Sequence, residues 1–214
     1  MSRDRGQAHT LEGIVAAILL LSSLTFALQV TAVTPLSAST SSQHIENQMQ
    51  SVADGVLAVS AEDDHLKDAV LFWGDEDNDD TFSFHEAPGT YYVNGPPANE
   101  FGEALSMAYG GRAIAYNVYV SYQSGAGSWV TQRMVYRGRP SDNAISASRT
   151  VTLYDSDCMV GPNNETDTTR CLNDEDTSDG NDWVESDFYA PDISTPESQG
   201  LYNVVRVEVV AWRM

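Results

Sequence analysis

A long apolar segment lies near the start of the chain. Within residues 13–33 only scattered serine, threonine and glutamine side chains interrupt it, and residues 14–21 are all apolar. As a helix, about 21 residues span roughly 30 Å, which is the thickness of the hydrocarbon core of a bilayer. The pattern predicts a transmembrane helix over residues 7–34, surrounded by membrane lipid.

Further along, apolar positions recur at helical spacing. Intervals of three and four residues separate Ile45, Met49, Val52, Val56 and Val59. Such a stripe is typical of an amphipathic helix that buries one face. Leu66, Val70 and Trp73 extend the helical pattern, and the polar run that follows ends it. We predict amphipathic stalk helices over residues 35–73.

The period changes to two in the second half of the chain. Apolar and polar residues alternate in residues 112–122, 129–136, 150–154 and 202–212. This alternation is typical of β-strands, and the Ser-Gly-Ala-Gly-Ser loop between the first two segments indicates a hairpin. Residues 101–109 predict a short helix. The order of elements predicts an α+β fold, in which a long N-terminal helix, transmembrane and then amphipathic, packs on a small antiparallel β-sheet head formed by residues 74–214.

The charge of the chain is strongly negative. Against 31 acidic residues stand 11 lysines and arginines, so the formal charge is -20 and the sequence pI is about 4.2. Nucleic-acid-binding proteins need clustered basic residues, so the composition argues against a nucleic acid partner. Lys67 is the single lysine. A carboxylate-rich surface with so little lysine suits concentrated salt, which screens self-repulsion, and it indicates a haloarchaeal source.

The few basic residues also predict an orientation in the membrane. Arg3 and Arg5 precede the apolar segment, and the next basic residue is Lys67. The positive-inside rule therefore predicts a single-pass protein of the cell membrane, with a cytoplasmic N-terminus and an extracellular head. The alternative is a secretory signal that is cleaved near Ala32 or Ala38.

The residues before the apolar segment carry a family resemblance. Arg3-Asp4-Arg5-Gly6, followed by residues 7–12 with Glu12 at their end, resembles the class III signal of archaeal type IV pilins. The resemblance implies that prepilin peptidase cuts between Gly6 and Gln7, which makes residues 1–6 a charged leader. It also implies that Glu12 meets the N-terminal amine of a neighbouring pilin-like subunit during assembly.

The resemblance has one departure. Glu12 would be the sixth mature residue, whereas the pilin glutamate is usually the fifth, and one residue turns a side chain by about 100° around a helix. Over its whole length the chain resembles an uncharacterised group of haloarchaeal pilin-like surface proteins. This implies a pilin-like structural protein of the cell surface, as a minor subunit of a filament. The alternative is a monomeric anchored module that binds Ca²⁺ or a cell-surface polymer.

An acidic loop has the spacing of a calcium site. In residues 75–86, carboxylates of Asp75, Asp77 and Asp79 occupy loop positions one, three and five, and Glu86 occupies position twelve. This is similar to the Ca²⁺ loop of an EF-hand. The glycine required at position six is Asp80, and a turn and strand follow where an EF-hand has its second helix. A solvated acidic turn is therefore the better interpretation, and Ca²⁺ is the one ligand ion that the sequence suggests.

The second half of the chain holds two further candidate sites. Cys158 and Cys171 are the only cysteines, and we expect a disulfide, the alternative being two unpaired thiols. Asn164 begins the only glycosylation sequon of the chain, inside the loop that this disulfide would close. Both features suit an extracellular location.

The remaining patterns suggest surface and not catalysis. Residues 155–197 contain thirteen acidic residues and one basic residue, which predicts a hydrated, poorly regular acidic insertion. Within it, the aromatic residues Trp183, Phe188 and Tyr189 are expected to anchor the insertion to the sheet. His9, His44, His65 and His85 show no metal-ligand spacing, and no nucleophile elbow or phosphate loop occurs. We therefore do not expect an enzyme.

Overall fold

The computed structural model describes residues 3–75, 81–173, 187–193 and 200–214, with the side chains of residues 3–8 and 30–42 excepted. The chain folds as two compact units, Met1–Asn47 and Gln48–Met214. The described helices are α1 (Arg3–Glu62), α2 (His65–Leu71) and α3 (Glu100–Tyr109). The described strands are β1 (Trp73–Gly74), β2 (Ser83–Phe84), β3 (Ile114–Gln123), β4 (Trp129–Val135), β5 (Ile145–Tyr154), β6 (Cys158–Val160), β7 (Thr166–Cys171) and β8 (Leu201–Arg213).

The first unit consists of helical residues of α1. Its segment His9–Gln29 has a mean hydropathy of 2.1 and contains no buried residue, so by length and composition this helix can cross a membrane. The hydroxyl groups of Ser23 and Thr25 donate hydrogen bonds to the backbone carbonyls of Leu20 and Leu21, one turn earlier. These hydroxyls are satisfied within the helix, which is the requirement for polar groups in lipid.

In the second unit, the last turns of α1 pack on the core; Met49 is buried as predicted, but beyond it the buried stripe lies one residue further along than the predicted one. The buried residues are Met49, Ala53, Leu57 and Ser60. By contrast, Val52 and Val56 are only half-buried, and Val59 is 59% exposed. Ala53 and Ser60 were not counted as apolar anchors, yet their small side chains let the helix backbone lie close to its neighbours.

A four-stranded antiparallel sheet forms the centre of the second unit. Its strand order is β4-β3-β8-β5, so the last strand of the chain lies inside the sheet. The register places Val118 opposite Val209, and Val209 opposite Ala147. These side chains share a hydrophobic core with Leu57 of α1 and Leu105 of α3. The mixed helix and antiparallel sheet architecture predicted from the sequence is therefore present.

The strands differ from the prediction in length and number. β5 begins at Ile145 and not at Thr150. Its first residues Ser146, Ala147 and Ser148 alternate between exposed and buried positions, but they include no large apolar side chain that would reveal the alternation in the sequence. Trp73 lies in β1 and not in a stalk helix, since α2 ends at Leu71. The segment after Pro88 was expected to be a strand, but only Tyr92 forms a β-bridge, with Val135.

The described part of the acidic insertion is more regular than predicted. Its first part folds as the β6–β7 hairpin, whose Met159 and Val160 are buried, together with Leu172 that follows it. Further on, the hydroxyl of Tyr189 donates a hydrogen bond to the carbonyl of Val70 over 3.0 Å, and its ring contacts the Trp73 ring at 4.9 Å. The expected aromatic anchoring is thus seen for Phe188 and Tyr189, while Trp183 lies outside the described residues.

Candidate functional site

The predicted processing and assembly residues lie on the first turns of α1. Gly6 and Gln7 have helical backbone, and Glu12 lies just over one turn beyond them. A carboxylate oxygen of Glu12 lies 3.8 Å from Nδ1 of His9, and the two side chains are 80% and 85% exposed. His9 is therefore a neighbour for the Glu12 carboxylate within the same chain, which the sequence analysis did not anticipate.

The acidic loop connects two paired strands and is not flanked by two helices. Trp73 pairs with Phe84 on either side of it, so the loop from Asp75 closes a β1–β2 hairpin. Glu86 adopts a φ of 59° in a turn closed by the hydrogen bond from the Ala87 N–H to the Phe84 carbonyl. The helix-loop-helix geometry of an EF-hand is absent here.

The calcium prediction itself involves residues that are only partly described. Asp77 and Asp79 lie outside the described residues, whereas Asp75 and Glu86 are half-buried and exposed, respectively. In the described part of the chain, no group of three or more His, Cys, Asp or Glu side chains is placed to hold a metal ion. The Ca²⁺ site stays a prediction.

Cys158 and Cys171 form a disulfide that joins the ends of the β6–β7 hairpin. Asn164 lies at the tip of this hairpin, exposed and with a φ of 59°. Its Nδ2 donates a hydrogen bond to the Ala98 carbonyl over 3.1 Å. An amide nitrogen carries two hydrogens, so one remains for replacement by a glycan. The sequon thus lies on the exposed tip of a hairpin whose opposite end is closed by the disulfide.

The hairpin is tied to α2 by the single lysine of the chain. Nζ of Lys67 lies 2.6 Å from the carboxylate of Asp157, and their side chains are only 23% and 17% exposed. The same carboxylate accepts a hydrogen bond from the Tyr154 N–H, and the Lys67 ammonium lies 5.3 Å from the centre of the Tyr154 ring. Nothing in the sequence indicates this pair, because ninety positions separate its members.

The four histidines do not form a common site among the described residues. His85 is buried against the ring of Phe72, with ring centres 5.0 Å apart, and its carbonyl accepts a hydrogen bond from the hydroxyl of Tyr92. His9 and His44 are exposed on α1. His85 therefore has a packing role in the core.

A group of arginines stacked on aromatic rings was missed by the sequence analysis. The guanidinium of Arg133 lies 4.4 Å from the centre of the Tyr136 ring, and that of Arg206 lies 5.7 Å from the Trp129 ring. Arg137 lies 4.2 Å from the Tyr116 ring and donates a hydrogen bond to its hydroxyl. The sequence could have indicated part of this group, because Trp129 and Arg133 are four residues apart on β4 and therefore lie on the same face of that strand.

No curated protein matches the chain significantly, and no solved structure does so. One protein family matches residues 5–211, a range that includes both the apolar segment of α1 and all of the four-stranded sheet except the last two residues of β8. The apolar segment and the sheet are therefore parts of one family pattern. The chain belongs to the family DUF7288, a family of unknown function.

Proposed function

We propose that this chain is a pilin-like structural protein of the cell surface. In this proposal the N-terminal helix inserts it into the cell membrane as a single pass, with the N-terminus in the cytoplasm. The second unit, Gln48–Met214, is displayed outside the cell. The chain acts as a minor subunit of a type IV pilus-like filament and not as an enzyme.

The observation that carries this proposal is the exposure of the apolar segment of α1. Large apolar side chains are exposed along its whole length, among them Leu11, Ile18 and Leu28. An exposed stripe of this length is unfavourable in water, where about 25 cal/mol is lost for each Å² of apolar surface. Lipid or the helices of neighbouring subunits would cover it.

Two further features support a pilin-like role over a simple anchor. The leader Arg3-Asp4-Arg5-Gly6 precedes the apolar segment directly. Glu12 lies at the edge of the apolar stretch, and an ionised carboxylate costs about 2.5–3.5 kcal/mol if it is placed at mid-membrane. An N-terminal amine of a neighbouring subunit would compensate that charge.

The net charge supports a saline habitat. With a formal charge of -20, the chain repels itself strongly at low ionic strength. At about 1 M salt the Debye length is near 3 Å, so this repulsion is largely screened. We propose that the exported unit is adapted to brine, as in haloarchaea.

The N-terminus of the mature protein tests the proposal. Mass spectrometry of the membrane fraction should find a chain that starts at Gln7. Gly6→Val should leave residues 1–6 attached, while Gly13→Val, a matched change at a position with nothing within 4 Å of an added Cβ, should be processed normally. A wild-type chain that keeps Met1 or Ser2 would refute processing, and a start near Val33 or Ser39 would indicate a cleaved secretory signal.

Assembly is tested separately at Glu12. Glu12→Gln removes the charge and keeps the size, so it should reduce cross-linking between neighbouring subunits while the chain stays in the membrane. His9→Gln is the matched control, because it changes the partner at 3.8 Å without removing the carboxylate. Equal cross-linking of Glu12→Gln and wild type would refute the assembly role of Glu12, and an absence of cross-linking in wild type would argue for the monomeric anchored module.

A further inference from the structure

One face of the four-stranded sheet carries a row of polar side chains. In register across the strands, Thr131 of β4 lies opposite Ser121, Ser121 lies opposite Arg206, and Arg206 lies opposite Thr150 of β5. The hydroxyl oxygens of Ser121 and Thr131 are 2.9 Å apart. This row alternates with core positions such as Val120 and Val207, so it lies on the face of the sheet away from the core.

Aromatic and cationic groups flank this row. Two residues before Thr131 on β4 is Trp129, which is 51% exposed, and two residues after it is Arg133. We name Trp129, Thr131, Arg133, Thr150 and Arg206 the arginine–aromatic surface; all five are exposed. Residues two apart on a strand lie on the same face, so these side chains share one face of the sheet, on which Ser121 of the intervening strand β3 is itself buried.

Both arginines of this surface are oriented by aromatic rings and not by carboxylates. The guanidinium of Arg133 lies beside the paired rings of Tyr136 and Tyr91, at 4.4 and 5.7 Å from their centres. Arg206 lies 5.7 Å from the Trp129 ring. Among the described residues, no carboxylate lies within 4.0 Å of either guanidinium, including that of Glu208 on the same face.

The lack of a carboxylate neighbour within the described part of the chain is informative because acidic residues outnumber basic ones there as well. An arginine on such a protein readily finds a carboxylate, as Arg170 does with Asp167 at 3.6 Å. Stacking on a ring fixes a guanidinium while leaving its fork of N–H donors open to a planar anion. The guanidinium groups of this surface are therefore held in place with N–H donors that can bind an anionic ligand.

We propose that the arginine–aromatic surface binds a polysaccharide that bears carboxylate groups. Each arginine would hold one sugar carboxylate through paired N–H donors. The exposed ring of Trp129 offers an apolar face for the C–H groups of a sugar ring, and Thr131 and Thr150 offer hydroxyl partners for sugar hydroxyls. A lipid surface would also contact the aromatic and cationic groups, but a row of hydroxyl groups matches the hydroxyls of a sugar chain better than the acyl chains of a lipid.

Binding of polygalacturonate by the full chain in detergent micelles tests the proposal. At one fixed salt concentration that screens the self-repulsion of the chain, wild type should bind polygalacturonate and should not bind neutral dextran. Arg206→Gln and Arg133→Gln should each weaken binding about tenfold, as expected for the loss of a charge-assisted hydrogen-bonded pair. Trp129→Ala should also weaken binding.

Arg149→Gln is the matched control. Arg149 is also exposed, but it lies opposite Val207, which is a core residue. Arg149 is therefore on the other face of the edge strand β5 from Thr150 and from the arginine–aromatic surface. Its loss removes the same charge and should change binding less than twofold. Equal weakening in all three arginine variants would show nonspecific charge attraction and would overturn the proposal, as would the absence of polygalacturonate binding in wild type. If the arginine variants alter only self-association of the chain, the surface is an interface between copies and the polysaccharide proposal is wrong.

Discussion

Removal of the Cys158–Cys171 disulfide is expected to lower the free energy of unfolding by about 3 kcal/mol. The crosslink joins residues separated by 13 positions in sequence. In the chain-entropy model, closing a loop of this length removes entropy from the unfolded chain worth about 3 kcal/mol at 25 °C. The perturbation is the double variant Cys158→Ser and Cys171→Ser, which changes each residue by one atom.

The folded hairpin should survive this change, because noncovalent contacts hold both its ends. Met159, Val160 and Leu172 are buried in the core, and the Leu172 N–H donates a hydrogen bond to the Asp157 carbonyl over 2.8 Å. Asp157 is in turn paired with Lys67. The destabilisation therefore acts mainly through the unfolded state, and the dependence of the free energy on urea should steepen slightly as the unfolded chain expands.

Urea unfolding at fixed salt measures the effect in the full chain in detergent micelles. The fluorescence of the buried Trp73 and Trp212 reports on the core. Reductant should lower the stability of wild type by the same amount as the double variant and should leave the double variant unchanged. A loss of stability below about 1 kcal/mol, or a reductant effect on the double variant, would refute the loop-entropy reasoning.

Three further predictions concern the second unit. A Cβ added at Gly102 would lie 1.8 Å from the Pro97 carbonyl oxygen, whereas a Cβ added at Gly55 would meet nothing within 4 Å. Gly102→Ala should therefore lower the free energy of unfolding by about 2 kcal/mol or more, and Gly55→Ala should raise it by about 0.5–1 kcal/mol. Equal urea midpoints of the two variants would contradict this. Asn203 is fully buried, and its amide donates hydrogen bonds to the carbonyls of Gln123 and Pro191. Asn203→Leu leaves both carbonyls without a donor, so it should lower the free energy of unfolding by about 2–4 kcal/mol in the same assay. A loss below about 1 kcal/mol would show that water replaces the amide. Burial raises the pKa of Tyr109 to about 12. The stabilising contribution of the protonated Tyr109 is therefore complete below about pH 10, where the unfolded tyrosine is still protonated. It is lost as the pH rises towards 12. Tyr109→Phe should reduce this alkaline loss between pH 8 and pH 11, and an unchanged pH profile would show that this tyrosine is not responsible.

Some parts of the fold could be predicted because their cause is local. The glycine-containing loop of residues 124–128 forms the expected hairpin turn, in which the Gly127 N–H bonds to the Ser124 carbonyl. The helix predicted at residues 101–109 is α3, and the side chain of Asn99 caps it by accepting a hydrogen bond from the Gly102 N–H. These elements follow from side chains within a few positions of one another.

Other parts could not be predicted because their cause is distant in sequence. The order β4-β3-β8-β5 places the last strand between two earlier ones, which no local pattern indicates. The buried stripe of α1 passes through Ala53 and Ser60 because the packing of the core selects small residues there. The early start of β5 depends in the same way on its pairing with β8 along Ile145–Arg149.

The candidate sites divide along the same line. The sequence by itself determined the apolar segment, the two arginines before it, the acidic balance and the pair of cysteines, because each is a property of composition or of neighbouring residues. Only the tertiary structure decided that Lys67 pairs with Asp157, that the Asp75 loop spans two strands, and that Arg133 and Arg206 share one face of the sheet. The physical reason is that charge and hydrophobicity belong to the residues themselves, whereas a binding surface exists only when strand pairing brings distant residues into register.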